Sequence, residues 1–237
     1  VVPHPNFKQN KFIYISYISS DTAGDTRYAT VVRAELNIEN SPKLENITTV
    51  WNQTPARPGK GHFSHKITLG QQGSKHDGKI FITSGDRQEQ APAQHWDKAL
   101  GKIIRLNDDG SVPVDNPFQD KGELAKTFWS IGHRNSLGIA FNQNGELWAH
   151  EMGPMHGDEL NLILPGANYG WPIVSEGNHY SGAVIPTHDT RPEFQKPKLF
   201  WVPTVAPSGL FFYQGDEFPD WNGDAFLGGL KLSLIHI

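Results

Sequence analysis

The sequence contains no cysteine, which excludes disulfides and thiolate-held metals outright. It also lacks any apolar run near the ~18 residues that a membrane-spanning helix requires, and its mean hydropathy is −0.50. Basic residues are not in surplus: 21 Lys and Arg stand against 25 Asp and Glu, for a formal net charge of −4. A nucleic-acid binder needs a basic footprint to displace counterions from phosphate, and this balance argues against that class. No Walker A loop, dinucleotide fingerprint or nucleophile elbow is present. His150-Glu151 followed by His156 has the wrong spacing for a zincin, and Gly153-Pro154 cannot sit inside the helix that motif needs. Val1 is preceded by no initiator Met, charged n-region or apolar h-region, so the lack of a signal peptide carries no information about export. A cysteine-free chain suits cytosol and periplasm equally.

What is present is material for a core. Of the 237 residues 37% are hydrophobic and 19% charged, with 7 Trp, 6 Tyr and 13 Phe, a composition that argues against global disorder. The 24 Gly and 17 Pro exceed their usual combined share of ~12% and favour short strands joined by many turns. The last residues, Lys231-Leu232-Ser233-Leu234-Ile235-His236-Ile237, stop in an apolar run without a cap or turn. The chain reads as an internal piece of a longer protein.

A repeat organises the strands. Asn10-Lys11-Phe12-Ile13-Tyr14-Ile15, Asp77-Gly78-Lys79-Ile80-Phe81-Ile82, Asn144-Gly145-Glu146-Leu147-Trp148-Ala149 and Asn222-Gly223-Asp224-Ala225-Phe226-Leu227 share one pattern: a turn, a spacer, then an aromatic between aliphatics. The central aromatics recur after 67, 67 and 78 residues. Each segment reads as the return arm of a hairpin, continuous enough to be buried on both faces. Three of them run into Ser84-Gly85-Asp86, Glu151-Met152-Gly153 and Gly228-Gly229, where glycine permits close backbone approach to a ligand. A period this long suits a four-stranded sheet, and radial stacking of such sheets gives a β-propeller, here with blades missing. An ordinary sandwich is the alternative. Residues 93–101 are expected to form two helical turns before a strand at 102–106.

Three stretches carry candidate chemistry. His62 and His65 follow a glycine-rich approach and can present an imidazole from a loop, although a lone loop histidine is more often simply solvated. In Trp129-Ser130-Ile131-Gly132-His133-Arg134-Asn135 an Arg fork suits an anionic or carbonyl oxygen, with a structural salt bridge as the other reading. Asp158 and Glu159 repel each other unless a cation or Arg neutralises them, and carbonyls of the Gly153-Pro154 turn add hard oxygen donors that favour Ca²⁺ over a transition metal. A solvated acidic turn is the plainer account. The sequons Asn46-Ile47-Thr48 and Asn52-Gln53-Thr54 are weak patterns.

Nearly all of the sequence resembles a known family. The likeness is carried by His4-Pro5-Asn6-Phe7, Tyr14-Ile15-Ser16-Tyr17, Gly61-His62, Gly85-Asp86, Gly101-Lys102-Ile103-Ile104-Arg105-Leu106, Asp115-Asn116-Pro117-Phe118 and Gly132-His133-Arg134-Asn135. It continues in Glu151-Met152-Gly153-Pro154, Asp158-Glu159-Leu160-Asn161, Asn168-Tyr169-Gly170-Trp171-Pro172 and Gly228-Gly229-Leu230-Lys231. Together these resemble the soluble pyrroloquinoline quinone (PQQ)-dependent aldose sugar dehydrogenases, the glucose/sorbosone dehydrogenase family. The resemblance implies an all-β, six-bladed β-propeller in which residues 1–237 form one partial domain lacking N-terminal and C-terminal parts. Residues 232–237 depart from the family's continuation, and the piece alone is expected neither to close the propeller nor to hold PQQ tightly.

The resemblance also implies roles. His62 falls where the family has its general base, a task suited to an imidazole whose ordinary pKa of ~6.5 lies near the working pH. Arg134 matches the arginine that holds the quinone oxygens, with Asn135 beside it, and Lys231 matches a lysine that pairs with a PQQ carboxylate. Trp201 is a candidate pocket wall. Gly153 and Pro154 match carbonyl ligands of a PQQ-bound Ca²⁺. Asp158, Glu159 and the Tyr169 carbonyl match a second, structural Ca²⁺ site, near a homodimer contact in some members. Gly61 stands where some members carry an acidic residue or a second His. The implied protein is a periplasmic or secreted, quinone-dependent oxidoreductase that oxidises aldose sugars at C1 to the lactone and passes electrons to a soluble or artificial acceptor. A non-catalytic propeller that binds a protein, as in Hedgehog-interacting proteins, is the competing function, and a lactonase-like hydrolytic propeller the third.

Overall fold

The computed structural model describes residues 1–39 and 41–231, and the backbone of 235–236. Among these the chain is almost entirely β. The first sheet joins β1 (Val2–Pro3), β2 (Phe12–Ser20), β3 (Arg27–Asn37) and β4 (Lys43–Asn52) in chain order. The second joins β5 (Ser64–Leu69), β6 (Lys79–Ser84), β7 (Lys102–Asn107) and β8 (Phe128–Ile131). The third joins β9 (Ser136–Phe141), β10 (Leu147–Glu151), β11 (Asp158–Leu162) and β12 (Leu199–Trp201), and the fourth β13 (Pro207–Phe212), β14 (Ala225–Gly229) and β15 (Ile235–His236). Every pairing within them is antiparallel between chain neighbours. No helix among the described residues is long and apolar enough to cross a membrane.

The four repeats lie at one equivalent place, the second strand of each sheet, on β2, β6, β10 and β14. Their composition has a direct cause. On β6, Ile80 and Ile82 enter a core shared with Tyr14, Val31 and Val50 of the first sheet. Phe81, between them, points the other way and enters a core with Ile139, Leu147 and Ala149 of the third. On β10, Leu147 and Ala149 feed that second core, whereas Trp148 packs against the cluster of Leu160, Ala225 and Leu227. Alternate side chains of a strand leave opposite faces, so a sheet flanked on both sides must be apolar at every position. A two-sheet sandwich would leave one face of each sheet wet. Consecutive sheets each sharing a core with the next are the blades of a β-propeller, and β5 and β13 both pack on β9.

The helix expected at 93–101 does not form. A short 3₁₀ helix, Ala91–Gln94, is followed by a turn at 96–97 and irregular chain into β7. One feature opposes the longer helix. The buried ammonium of Lys102 takes the carbonyls of Pro92, Ala93 and Leu100 at 2.8, 2.9 and 2.8 Å, and a helix needs such carbonyls for its own ladder.

Candidate active site

The ends of β6 and β10, the loop entering β5 and the loop between β8 and β9 converge on one mouth of the propeller. There, His62, Asp86, Gln88, Gln90, Arg134, Pro154, Trp171, His179 and Tyr180 line a cavity of about 140 Å³. The imidazole and the guanidinium expected to work together thus face the same space, although 72 residues separate them in the chain. The cavity is smaller than the ~300–1,000 Å³ usual for small-molecule sites, so the described residues frame part of a site.

His62 is held by a buried carboxylate. Its Nδ1 donates to Asp86 Oδ1 at 2.7 Å, because a carboxylate only accepts. A neutral His62 therefore keeps its lone pair on Nε2, which has no partner among the described residues. Asp86 is fully buried and also accepts from the Gln88 N–H at 2.9 Å and from Trp171 Nε1 at 2.8 Å. Gly85 lies directly beneath this loop: a Cβ there would come within 2.1 Å of the His62 carbonyl. The orienting carboxylate is what the residue-by-residue reading missed. Gly85-Asp86 was visible as a motif, but its pairing with position 62 depends on the register of β5 on β6, which sets Ser64 opposite Ser84.

Arg134 is 7% exposed. Its Nη1 donates to the Met152 carbonyl at 2.9 Å, its backbone N–H to Glu151, and its guanidinium lies 5.3 Å from the Trp171 ring centroid. Asn135 is turned aside, its Oδ1 accepting from the Ser64 hydroxyl at 3.0 Å, and does not line the cavity. Trp201 is elsewhere. It ends β12, pairs with Asp158 across the sheet, and packs beside the Leu160 cluster. Lys231 is exposed beyond β14 with its N–H on the Val205 carbonyl. Neither lines the cavity; positions 232–237, also singled out in the sequence, lie outside the described residues except for the backbone of 235–236.

A second void, about the size of one water, lies below Pro154 and is lined by Glu151, Gly153, Gly157, Glu159 and Tyr169 among others. Burial, reinforced by the charge of Glu151, pushes the Glu159 carboxyl well above its ordinary pKa. Asn161 Nδ2 bridges Glu151 and Glu159 at 3.3 and 3.2 Å, and its Oδ1 is left buried without a donor. Two buried carboxylates lining a one-atom void suit a hard cation. Gly153 is tightly enclosed: a Cβ there would lie 2.2 Å from the His156 carbonyl.

Asp158 does not belong to this set. Its carboxylate accepts from Gly153 N and from the hydroxyl of Thr204 and the N–H groups of Val205 and Ala206, at 2.5–2.9 Å. Those bonds fill its acceptor sites, making it a loop clamp, and Glu151 takes its place at the void. The Tyr169 carbonyl accepts from His188 Nε2 at 3.0 Å and retains a second lone pair. Among the described residues no three His, Asp or Glu side chains form a metal-ready group, so any cation here depends on carbonyl oxygens as well.

Fold and site together define a β-propeller protein with an imidazole held by a buried carboxylate and a guanidinium facing one mouth. The chain belongs to the glucose/sorbosone dehydrogenase family, whose pattern it matches over residues 1–237. It is 36% identical to aldose sugar dehydrogenase YliI of Escherichia coli, covering 98% of this chain and 61% of that protein. The crystal structure of the soluble aldose sugar dehydrogenase of Escherichia coli in the apo-form superposes with a TM-score of 0.88 at 34% identity, over 99% of this chain and 67% of that one. The PQQ-bound aldose sugar dehydrogenase of Streptomyces coelicolor gives 0.71 at 26% identity, over 97% and 58%. The chain spans 50–61% of the length of the relatives it matches.

Proposed function

We propose that the protein oxidises aldose sugars at C1 to the lactone, with PQQ as cofactor, Ca²⁺ as its counter-ion and His62 as the general base. The observation that carries this reading is the Asp86–His62 pair facing the same cavity as Arg134. PQQ bound at this mouth supplies the hydride acceptor, chemistry that no side chain offers. The chain's own residues do the rest. His62 Nε2 takes the proton of the C1 hydroxyl while the C1–H bond gives up its electron pair, and C1 becomes the carbonyl carbon of the lactone. Asp86 fixes the tautomer that leaves Nε2 basic and stabilises the imidazolium that forms.

Arg134, with the donors that Met152 leaves free, would hold oxygens of the cofactor, and its fixed positive charge would stabilise negative charge placed there. The carbonyls of Gly153 and Pro154 would hold a Ca²⁺ that serves the cofactor as counter-ion, and Glu151, Glu159 and the Tyr169 carbonyl, which line or adjoin the small void, would hold a second one. The final electron acceptor would be a soluble or dye molecule. A propeller that only binds a protein has no use for a base oriented by a buried carboxylate.

The test is His62→Ala in the intact protein. A general base contributes ~10²–10⁴-fold, so dye reduction by glucose and maltose should fall by that factor while PQQ titration stays near wild type. Unchanged turnover would falsify the assignment of the base.

A further inference from the structure

Six non-glycine residues crowd the left-handed backbone region at this mouth: His62, Ser64 and His65 in one segment, Arg87, Gln88 and Gln90 in the other, with φ between 50° and 64°. Side chains rarely adopt this conformation, and it persists only where the surroundings over-determine it. The group placed to do so is Arg87. Its side chain is buried, yet among the described residues no carboxylate lies within ion-pairing distance of it. The guanidinium is spent on backbone instead. Nε donates to the Gly61 carbonyl at 2.8 Å, Nη2 to Gly59 at 2.9 Å and Pro58 at 3.3 Å, and Nη1 to Arg27 on β3 at 2.7 Å. Its plane lies 3.6 Å from the Phe63 ring centroid, and its backbone N–H donates to the His62 carbonyl at 3.3 Å.

These contacts enclose His62 on both sides, at 58, 59, 61 and 63, and tie its loop to the first blade. The clamp is also covalently next to Asp86, so one rigid segment carries both the carboxylate that orients the ring and the cation that holds the ring's loop. We propose that Arg87 is the positioning residue of this site: a guanidinium fork that locks the 58–63 loop in a strained form so that His62 meets Asp86 and presents Nε2 to the cavity. The proposal rests on the reading of His62 as the base, but its structural half can be tested without turnover. Lysine can replace the charge but not the fork, since an ammonium cannot reach carbonyls on both sides of the loop at once.

The experiment compares Arg87→Lys and Arg87→Ala with wild type in the intact protein. The first readout is the His62 Nδ1–H proton in the downfield ¹H NMR spectrum of the cofactor-free protein, assigned by its loss in His62→Ala. The second is steady-state dye reduction by glucose at saturating PQQ and Ca²⁺. In Arg87→Lys, which keeps a cation over Phe63 and the fold with it, the resonance should broaden or vanish. A base misplaced by about 1 Å loses ~10²-fold in rate, so kcat should fall toward that factor with KM within about twofold. Guanidinium chloride at low millimolar concentration should restore part of both signals in Arg87→Ala. An unchanged resonance in Arg87→Lys overturns the proposal, whatever the rate does. If wild type oxidises no aldose, the reading of the site fails, and the resonance alone still decides the clamp.

Discussion

Replacing Asp86 by Asn changes the hydrogen-bonding sense of one atom and leaves the packing in place. The native carboxylate accepts three bonds, from His62 Nδ1, the Gln88 N–H and Trp171 Nε1. An amide has one oxygen and one NH₂, and neither orientation serves all three donors. With the oxygen toward His62 and Gln88, the NH₂ meets the Trp171 N–H and a buried donor is left unpaired, at a cost of about 1–3 kcal/mol. The His62 tautomer survives, but the bond that supported the imidazolium loses its charge assistance. Such bonds contribute about 1.5–3 kcal/mol, which is roughly a 10- to 150-fold loss in kcat.

With the amide flipped, the NH₂ faces His62 and forces the proton onto Nε2, which removes the base, and the loss then approaches ~10⁴-fold. We therefore expect Asp86→Asn to lower kcat by ~10–10⁴-fold with KM changed by less than about threefold. The melting temperature should fall by about 2–12 °C, from the 2–4 °C per kcal/mol of a chain this size. Stopped-flow dye reduction at saturating PQQ and Ca²⁺ measures the first quantity and calorimetry the second. A variant within threefold of wild-type kcat would show that the carboxylate does not orient the base.

Two further perturbations probe the rest of the molecule. If Glu151 and Glu159 hold a cation, Ca²⁺ at 100 times its dissociation constant should stabilise the fold by about 2.7 kcal/mol, raising the melting temperature by about 5–10 °C. Glu159→Gln should abolish that rise, and an equal rise in the variant places the ion elsewhere. His76 is buried among Phe81, Trp129 and Phe141, and burial, with Arg105 adding to it, lowers its pKa from 6.5 to about 4. Between those values the unfolded chain binds a proton that the folded one refuses, so stability is fully present above pH 6.5 and is lost as pH falls toward 4. The effect is at most about 3 kcal/mol. His76→Phe should shrink the fall in melting temperature between pH 7 and 4.5, and an unaltered pH slope refutes the assignment.

The repeat was legible because it reports a local constraint: a strand with neighbours on both faces must be apolar at each position, and Ile80-Phe81-Ile82 records that without reference to its partners. The turns were legible for the same reason, as Gly78, Gly145 and Gly223 all have positive φ at the entrance to their strands. Local pattern misled at 93–101, where Lys102 drew off the carbonyls a helix would use. It also misled at Asp158, whose adjacency to Glu159 suggested a shared ion. Neighbours on a strand point to opposite faces, so one carboxylate entered the void and the other the loop of Thr204 and Ala206. Residue types and spacing determined which groups were available. Only the tertiary structure decided the pairings: strand register within a blade set His62 beside Asp86 and Glu151 opposite Glu159, and the packing of blade on blade brought Arg87 across to Arg27, because neither register nor packing is written in local pattern.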